Sequence, residues 1–298
     1  MSHESRTADA RRLQTRQLRL AILLAAGTLL IEVAGGILSG SLALLSDAGH
    51  VLTDVLALVL SLMAVRFASL PATSAKTFGY HRLEILTALL NGSLLVVISA
   101  GILYKAVRRF LAPEPIESSV MIGVALLGLV ANLAGVFLLS RAPQNLNLRC
   151  ARMHVIGDTV SSVGVLAAGG IIALTGWERL DAITGGVIAV IIAVGSIRLV
   201  REAVDVLLEA TPEGIDPDEV SRAIATVPGV IEVHDLHIWS ITTGLPALSG
   251  HVRLDGAPTG AGDDMLNRIK ETVRDRFGIV HTTIQIESRG YEELGDVH

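Results

Sequence analysis

Apolar residues fill the first 200 positions in six blocks, near 18 to 38, 42 to 65, 83 to 106, 119 to 140, 152 to 175 and 181 to 200, parted by short polar stretches. Each block reaches the ~20 residues that let a helix cross a hydrocarbon core of roughly 30 Å. The first is followed too soon by the second, and closes on no small-residue cleavage site, so it reads as a retained span and not as a signal peptide. After Arg201 the pattern shortens. Pro212 and Pro217 bracket a hinge, and periodicity then predicts a helix (Asp218 to Thr226), two strands (Val230 to Ile241 and Leu248 to Leu254), a helix (Asp263 to Phe277) and a strand (Val280 to Glu287). The expected architecture is an all-α membrane domain of six helices at 18–208, preceded by a tail at 1–17. A small α+β domain, ferredoxin-like in its element order, follows at 209–298.

Composition agrees with a bilayer as solvent. The 298 residues are 51% hydrophobic and 18% charged, below the ~25% charged residues of soluble domains. Residues 1 to 208 hold 17 Lys and Arg against 13 acidic residues, whereas 209 to 298 hold 7 against 16. That distribution points away from nucleic acid as a partner. A single cysteine, Cys150, excludes a disulfide framework within the chain and cysteine-rich zinc modules. Counting Lys and Arg beside the spans gives thirteen on the side of the amino terminus and four on the other, which predicts both termini inside. Lys105, Arg108 and Arg109 run against that bias, with Glu114 and Glu117 the nearby acidic groups. The scarcity of lysine (Lys76, Lys105 and Lys270) suggests a G+C-rich bacterial genome, hence a bacterial inner membrane.

Ionisable side chains at bilayer depth cost about 2.5–3.5 kcal/mol each on insertion scales and so call for a reason. Apart from the Lys and Arg already counted and the acids at block starts, Glu84 and Asp181, six stand inside the blocks: Glu32, Asp47, His50, Asp54, His154 and Asp158. Four of them form a repeated pattern, His50-x-x-x-Asp54 in the second block and His154-x-x-x-Asp158 in the fifth. Residues four apart share one helix face. Because the two spans run in opposite directions, side-by-side packing sets His50 level with Asp158 and Asp54 level with His154. Two imidazole nitrogens and two carboxylate oxygens suit tetrahedral Zn2+, and two aspartates balance its charge. The alternative is a pair of helices pinned by Asp–His hydrogen bonds. No His-Glu-x-x-His occurs in either block, which argues against a protease of that type.

Taken together, Ser41-Leu-Ala-Leu-Leu-Ser-Asp-Ala-Gly-His50 with Asp54, Phe78-Gly-Tyr-His-Arg-Leu-Glu84, His154-Val-Ile-Gly-Asp158 and Thr283-Ile-Gln-Ile-Glu287 resemble the cation diffusion facilitator family in its zinc-transporting branch. The resemblance runs from the first span to Glu287. It implies a homodimer in which each protomer exports cytoplasmic Zn2+ in exchange for protons, with His50, Asp54, His154 and Asp158 as the transport site. Cd2+ or Co2+ as main substrate, an intramembrane zinc hydrolase and a zinc sensor are the competing readings. A hydrolase needs an open metal position, which four protein ligands do not leave.

The same resemblance implies secondary sites. Arg82 is expected to pair with Glu209, or with Asp205 in its place, as an interdomain salt bridge. In the C-terminal domain His234, His251, His281 and Glu287 are candidate zinc ligands, with His237 nearby and Gln285 standing where some relatives have a histidine. The alternative is a set of surface histidines on a half-exposed sheet. The loop between the second and third spans has Lys76 and Tyr80 where relatives with an extra site carry ligands, so His81 is expected to bind none. Asp47 is either a relay carboxylate on the exit path or a local cap. Asp181 is expected to cap the start of the sixth span, Asn91 and Asn132 to bridge helices, and Glu32 has no assigned partner.

Overall fold

The computed structural model describes residues 23–68, 72–140, 146–255 and 262–291. The helices are α1 (Leu23–Ser39), α2 (Leu42–Ala68), α3 (Arg82–Leu111), α4 (Ser118–Ser140), α5 (Leu146–Thr175) and α6 (Arg179–Leu207). There follow α7 (Pro217–Ala225), β1 (Val230–Thr242), β2 (Leu245–Leu254), α8 (Gly262–Phe277) and β3 (His281–Ser288). The chain divides into two compact units, residues 1–63 with 90–200, and residues 64–89 with 201–298.

All six predicted spans appear as helices, and α3, α5 and α6 run five or more residues past their apolar blocks. Helix α5 starts at Leu146 and α6 runs on to Leu207. Hydropathy marks only the part of a helix that faces lipid, whereas backbone hydrogen bonding continues past that boundary. Among the described residues α3, α4, α5 and α6 are long and apolar enough to span a membrane, and Leu23–Ser39 and Leu42–Thr53 are shorter apolar stretches. In the first unit the usual burial pattern is inverted. Leu30, Leu38, Val97 and Leu174 point outward, while Glu32, Ser41, Ser46, Asp47, Asn91, Ser162 and Asp181 are buried. Lipid offers apolar side chains a home but no hydrogen bonds, so polar groups collect between helices. Apolar packing of Ala43 and Leu44 on α2, Met121 and Ala125 on α4, and Val165, Ala168 and Ile172 on α5 joins three helices.

In the second unit a three-stranded sheet has the order β1-β2-β3, with β1 and β2 antiparallel and β2 and β3 parallel. A parallel neighbour requires a crossover, which α8 supplies. Helix α7 begins at an Asp216 cap whose carboxylate accepts from Asp218 N at 2.9 Å, with Pro217 in the first turn. Its buried face of Val220, Ala223 and Ile224 meets Ile238, Leu248, Val252, Ile269 and Val273 in the core. Leu248, Val252 and Leu254 of β2 face that core, so the alternating His251 and Arg253 stand on the other face.

Candidate metal centre

Helix α2 carries half of the expected transport ligands, and its start is held by a distant residue. Gly40 turns the chain with φ 69°, and Ser41 caps α2 by accepting from Leu44 N at 3.2 Å. The next orphan amides, Leu42 N and Ala43 N, donate to the Asp181 carboxylate at 2.7 and 3.0 Å, and Ser41 Oγ donates to it at 2.5 Å. Asp181 therefore caps α2 and not, as expected, its own helix. The helix that needs its charge is the one whose first turn is buried against it. Arg109 Nη1 lies 3.8 Å from Asp181 Oδ2 and donates to the Gly40 carbonyl, while Nη2 pairs with Glu114 at 2.7 Å. That pairing gives Arg109 a role that the charge bias of its loop left unexplained.

Further along α2, Asp47 and His50 meet α5. His50 Nε2 stands 3.2 Å from Asp158 Oδ1, and Ser161 Oγ donates to Asp47 Oδ1 at 2.5 Å. The first distance suits a hydrogen bond. It also suits shared coordination, since two ligands ~2.0–2.1 Å from a tetrahedral ion stand about 3.3 Å apart. The half-buried imidazole and carboxylate leave an approach to the pair. Asp54 and His154 lie on α2 and α5, one helical turn from these residues; their side chains fall outside the described residues.

The polar zone continues around this pair. Asn132 Nδ2 on α4 donates to Ser162 Oγ on α5 at 3.1 Å, as interhelical bridging predicts. Glu32 on α1 is 1% exposed, and its Oε1 is 2.9 Å from where a Cβ on Gly128 of α4 would stand. Composition gave no hint of Ser161 and Ser162, two small hydroxyls in an apolar block. Their spacing of three and four from Asp158 was the available signal.

In the second unit His234, His251 and Glu287 each offer one ligand atom, all within 4.8 Å of one another. His234 pairs directly across from His251, and Gln285 across from His251, in the ladder. Glu287 Oε2 lies 3.3 Å from His234 Nε2 and Oε1 lies 3.1 Å from His251 Nδ1, although the carboxylate is only 2% exposed. Two imidazoles and a carboxylate fit three corners of a zinc tetrahedron. Gln285 Nε2 donates to Glu287 Oε1 at 3.1 Å, orienting the carboxylate. A register shift between His234 and His237, with Asp235 at φ 47°, breaks the alternation of β1 beside the site. Asp235 Oδ1 meets His237 Nε2 at 2.8 Å. Arg253 Nη2 stands 3.7 Å from Glu287 Oε2.

His281 does not join this cluster. It pairs with Ala247, six residues before Glu287 on β3, hence about 20 Å away at the ~3.3 Å rise of a strand. Its ring packs edge-on against Phe78 at 5.8 Å. Among the described residues His81 belongs to no group of three metal-ligand candidates. Arg82 Nη2 donates to Glu209 Oε1 at 2.8 Å, with both side chains largely exposed, and Glu209 takes φ 60° at the end of α6.

Comparison with known proteins places these features in a wider set. Residues 18–208 match the model of the cation efflux transmembrane domain, and residues 212–289 that of the cation efflux protein cytoplasmic domain. The chain is 40% identical to the zinc transporter ZitB of Escherichia coli, over 91% of this chain and 87% of that one. It is 41% identical to the metal cation efflux system protein CzcD of Cupriavidus metallidurans, over 91% and 86%. Identity to the cadmium, cobalt and zinc/H(+)-K(+) antiporter of Bacillus subtilis is 38%, over 92% and 89%.

Proposed function

The chain belongs to the cation efflux (cation diffusion facilitator) family, and from that premise we propose that it exports cytoplasmic Zn2+ across a bacterial inner membrane in exchange for protons. The observation that carries this reading is the 3.2 Å approach of His50 Nε2 to Asp158 Oδ1 between α2 and α5. With Asp54 and His154 one turn away, the four residues supply a two-nitrogen, two-oxygen site whose carboxylates balance a divalent charge. The names of the ZitB and CzcD relatives, and of the Bacillus antiporter, agree with that chemistry.

Zinc binds neutral imidazole and ionised carboxylate, so loading releases protons and protonation releases metal. Imidazole changes charge between pH ~5 and 8, where a modest pH difference across the membrane biases the exchange. The protein is a secondary active transporter on this account. It works by alternating access, with helix groups rocking about the ligand pair, as a homodimer with both termini in the cytoplasm. His234, His251 and Glu287 are the residues that would hold a regulatory zinc ion in the cytoplasmic domain.

Uptake of Zn2+, Cd2+, Co2+ and Mn2+ into proteoliposomes tests the substrate. The reading expects Zn2+ to move fastest, with Cd2+ and Co2+ behind it and Mn2+, which favours more oxygen ligands, the slowest. Transport of Mn2+ ahead of Zn2+ contradicts it.

A further inference from the structure

Glu32 has no task in the exchange described above. It is the one ionisable residue of α1, and α4, which packs beside it, has no ionisable side chain. The residue is 1% exposed, and its Oε2 is enclosed without a hydrogen-bond partner among the described residues. Space for its carboxylate comes from the bare Cα of Gly128: a Cβ there would stand 2.9 Å from Glu32 Oε1 and 3.8 Å from Ser162 Oγ. Ser162 is itself tied to Asn132 at 3.1 Å. The charged groups that act on Glu32 are Asp47 on α2 and Asp158 on α5, both carboxylates. No basic side chain pairs with it among the described residues.

An ionised carboxylate enclosed without a cationic partner costs several kcal/mol, and neighbouring like charges add to that cost. Some cation has to accompany it. A hard metal cation wants about six oxygens or more, whereas beside the Glu32 carboxylate stand the Ser162 hydroxyl and, acting through charge, Asp47 and Asp158. A proton needs no coordination shell.

We infer that Glu32 is a proton-binding site of the antiporter, protonated while the neighbouring ligand pair is free of metal and ionised when a divalent cation occupies it. Asp158 belongs to both environments: it is a ligand of the transport site and a charge acting on Glu32. Metal at His50 and Asp158 lowers the cost of a negative charge on Glu32, and departure of the metal restores it. One proton is then exchanged at a residue that never touches the ion. This deepens the proposed antiport and rests on it.

The test uses the full chain in sealed vesicles, with proton movement and zinc uptake followed together and with K+ gradients imposed in parallel. Glu32→Gln keeps the shape and removes the ionisable group. The expected result is a fall of about one in the protons exchanged per zinc ion, with zinc bound about tenfold or more weakly at neutral pH, because a proton released on loading means that ionised Glu32 favours the metal by the same factor. Gly128→Ala displaces the carboxylate without replacing it, and the same fall in the ratio is expected. An unchanged ratio in either folded variant overturns the assignment, as does a change confined to K+ dependence. A wild-type protein that moves zinc without protons sinks the antiport reading itself, an outcome separate from failure of the Glu32 site alone.

Discussion

Asp181 holds the first turn of a helix 139 residues away in the chain: its Oδ2 accepts from Leu42 N at 2.7 Å. The helix so anchored presents Asp47 and His50 toward α5. Its neighbour Ser46 donates to the Gly185 carbonyl on α6 at 2.9 Å, so α2 is tied to α6 at two successive turns. On α5 the facing Asp158, a proposed ligand, belongs to a helix packed on α4. The two halves of the proposed transport site thus come from different helices, and relative motion of those helices would alter the ligand geometry.

Replacement of Asp181 by Asn leaves one of the amides Leu42 N or Ala43 N facing an N–H group. The cost of a buried donor without an acceptor is about 1–3 kcal/mol. The full chain in detergent should unfold at lower temperature, and the folded fraction should bind zinc more weakly because α2 is no longer fixed in height. Thermal unfolding and zinc titration of the same preparation check both effects. An unchanged melting temperature contradicts the capping role.

Gly185→Ala tests the approach of α2 to α6. A Cβ there would stand 3.0 Å from Leu42 C and 3.1 Å from Ala43 N, both backbone atoms that cannot rotate away. Overpacking of this kind costs about 1–3 kcal/mol. The neighbouring Gly186 has only the Ala106 methyl at 3.4 Å, so Gly186→Ala should be tolerated. Equal melting temperatures for the two variants would contradict the close packing described here.

In the C-terminal domain Arg253 stands 3.7 Å from Glu287 Oε2 and also donates to Glu232. Its charge opposes a metal ion held by His234, His251 and Glu287. Arg253→Gln is expected to tighten zinc binding at that cluster by about tenfold, a modest share of the Coulomb repulsion between partly solvated charges. Titration against a competing chelator, in a chain whose transport site is disabled by Asp158→Asn, reads the change. Weaker binding in Arg253→Gln would show that the arginine supports the cluster.

Six spans and the α+β domain were legible because each rests on a period or a run that a local stretch carries by itself. The His-x-x-x-Asp repeat was visible for the same reason, since equal spacings in antiparallel spans set His50 level with Asp158, and those two side chains meet at 3.2 Å. Long-range partners were not. Asp181 looks like an ordinary helix-start acid until α2 packs against it, and nothing within α6 signals that the amides of another helix are waiting. His281 sits at the head of a strand that carries Glu287 at its far end, so shared strand membership misled where distance along the strand decides. The register shift beside His234 has no glycine to announce it; aspartate tolerates the left-handed conformation at Asp235. Gln285, noted only as a missing histidine, proves to orient the Glu287 carboxylate.

The central claim is that zinc and protons are exchanged at a site containing His50 and Asp158. Its most direct test is proton efflux driven by an inward zinc gradient in sealed proteoliposomes, compared between the wild type and Asp158→Ala. The account predicts robust exchange in the wild type. In the variant it predicts exchange reduced to the level of protein-free vesicles, with helical content and dimer retained. Zinc-driven proton flux of wild-type size in a folded Asp158→Ala protein contradicts it.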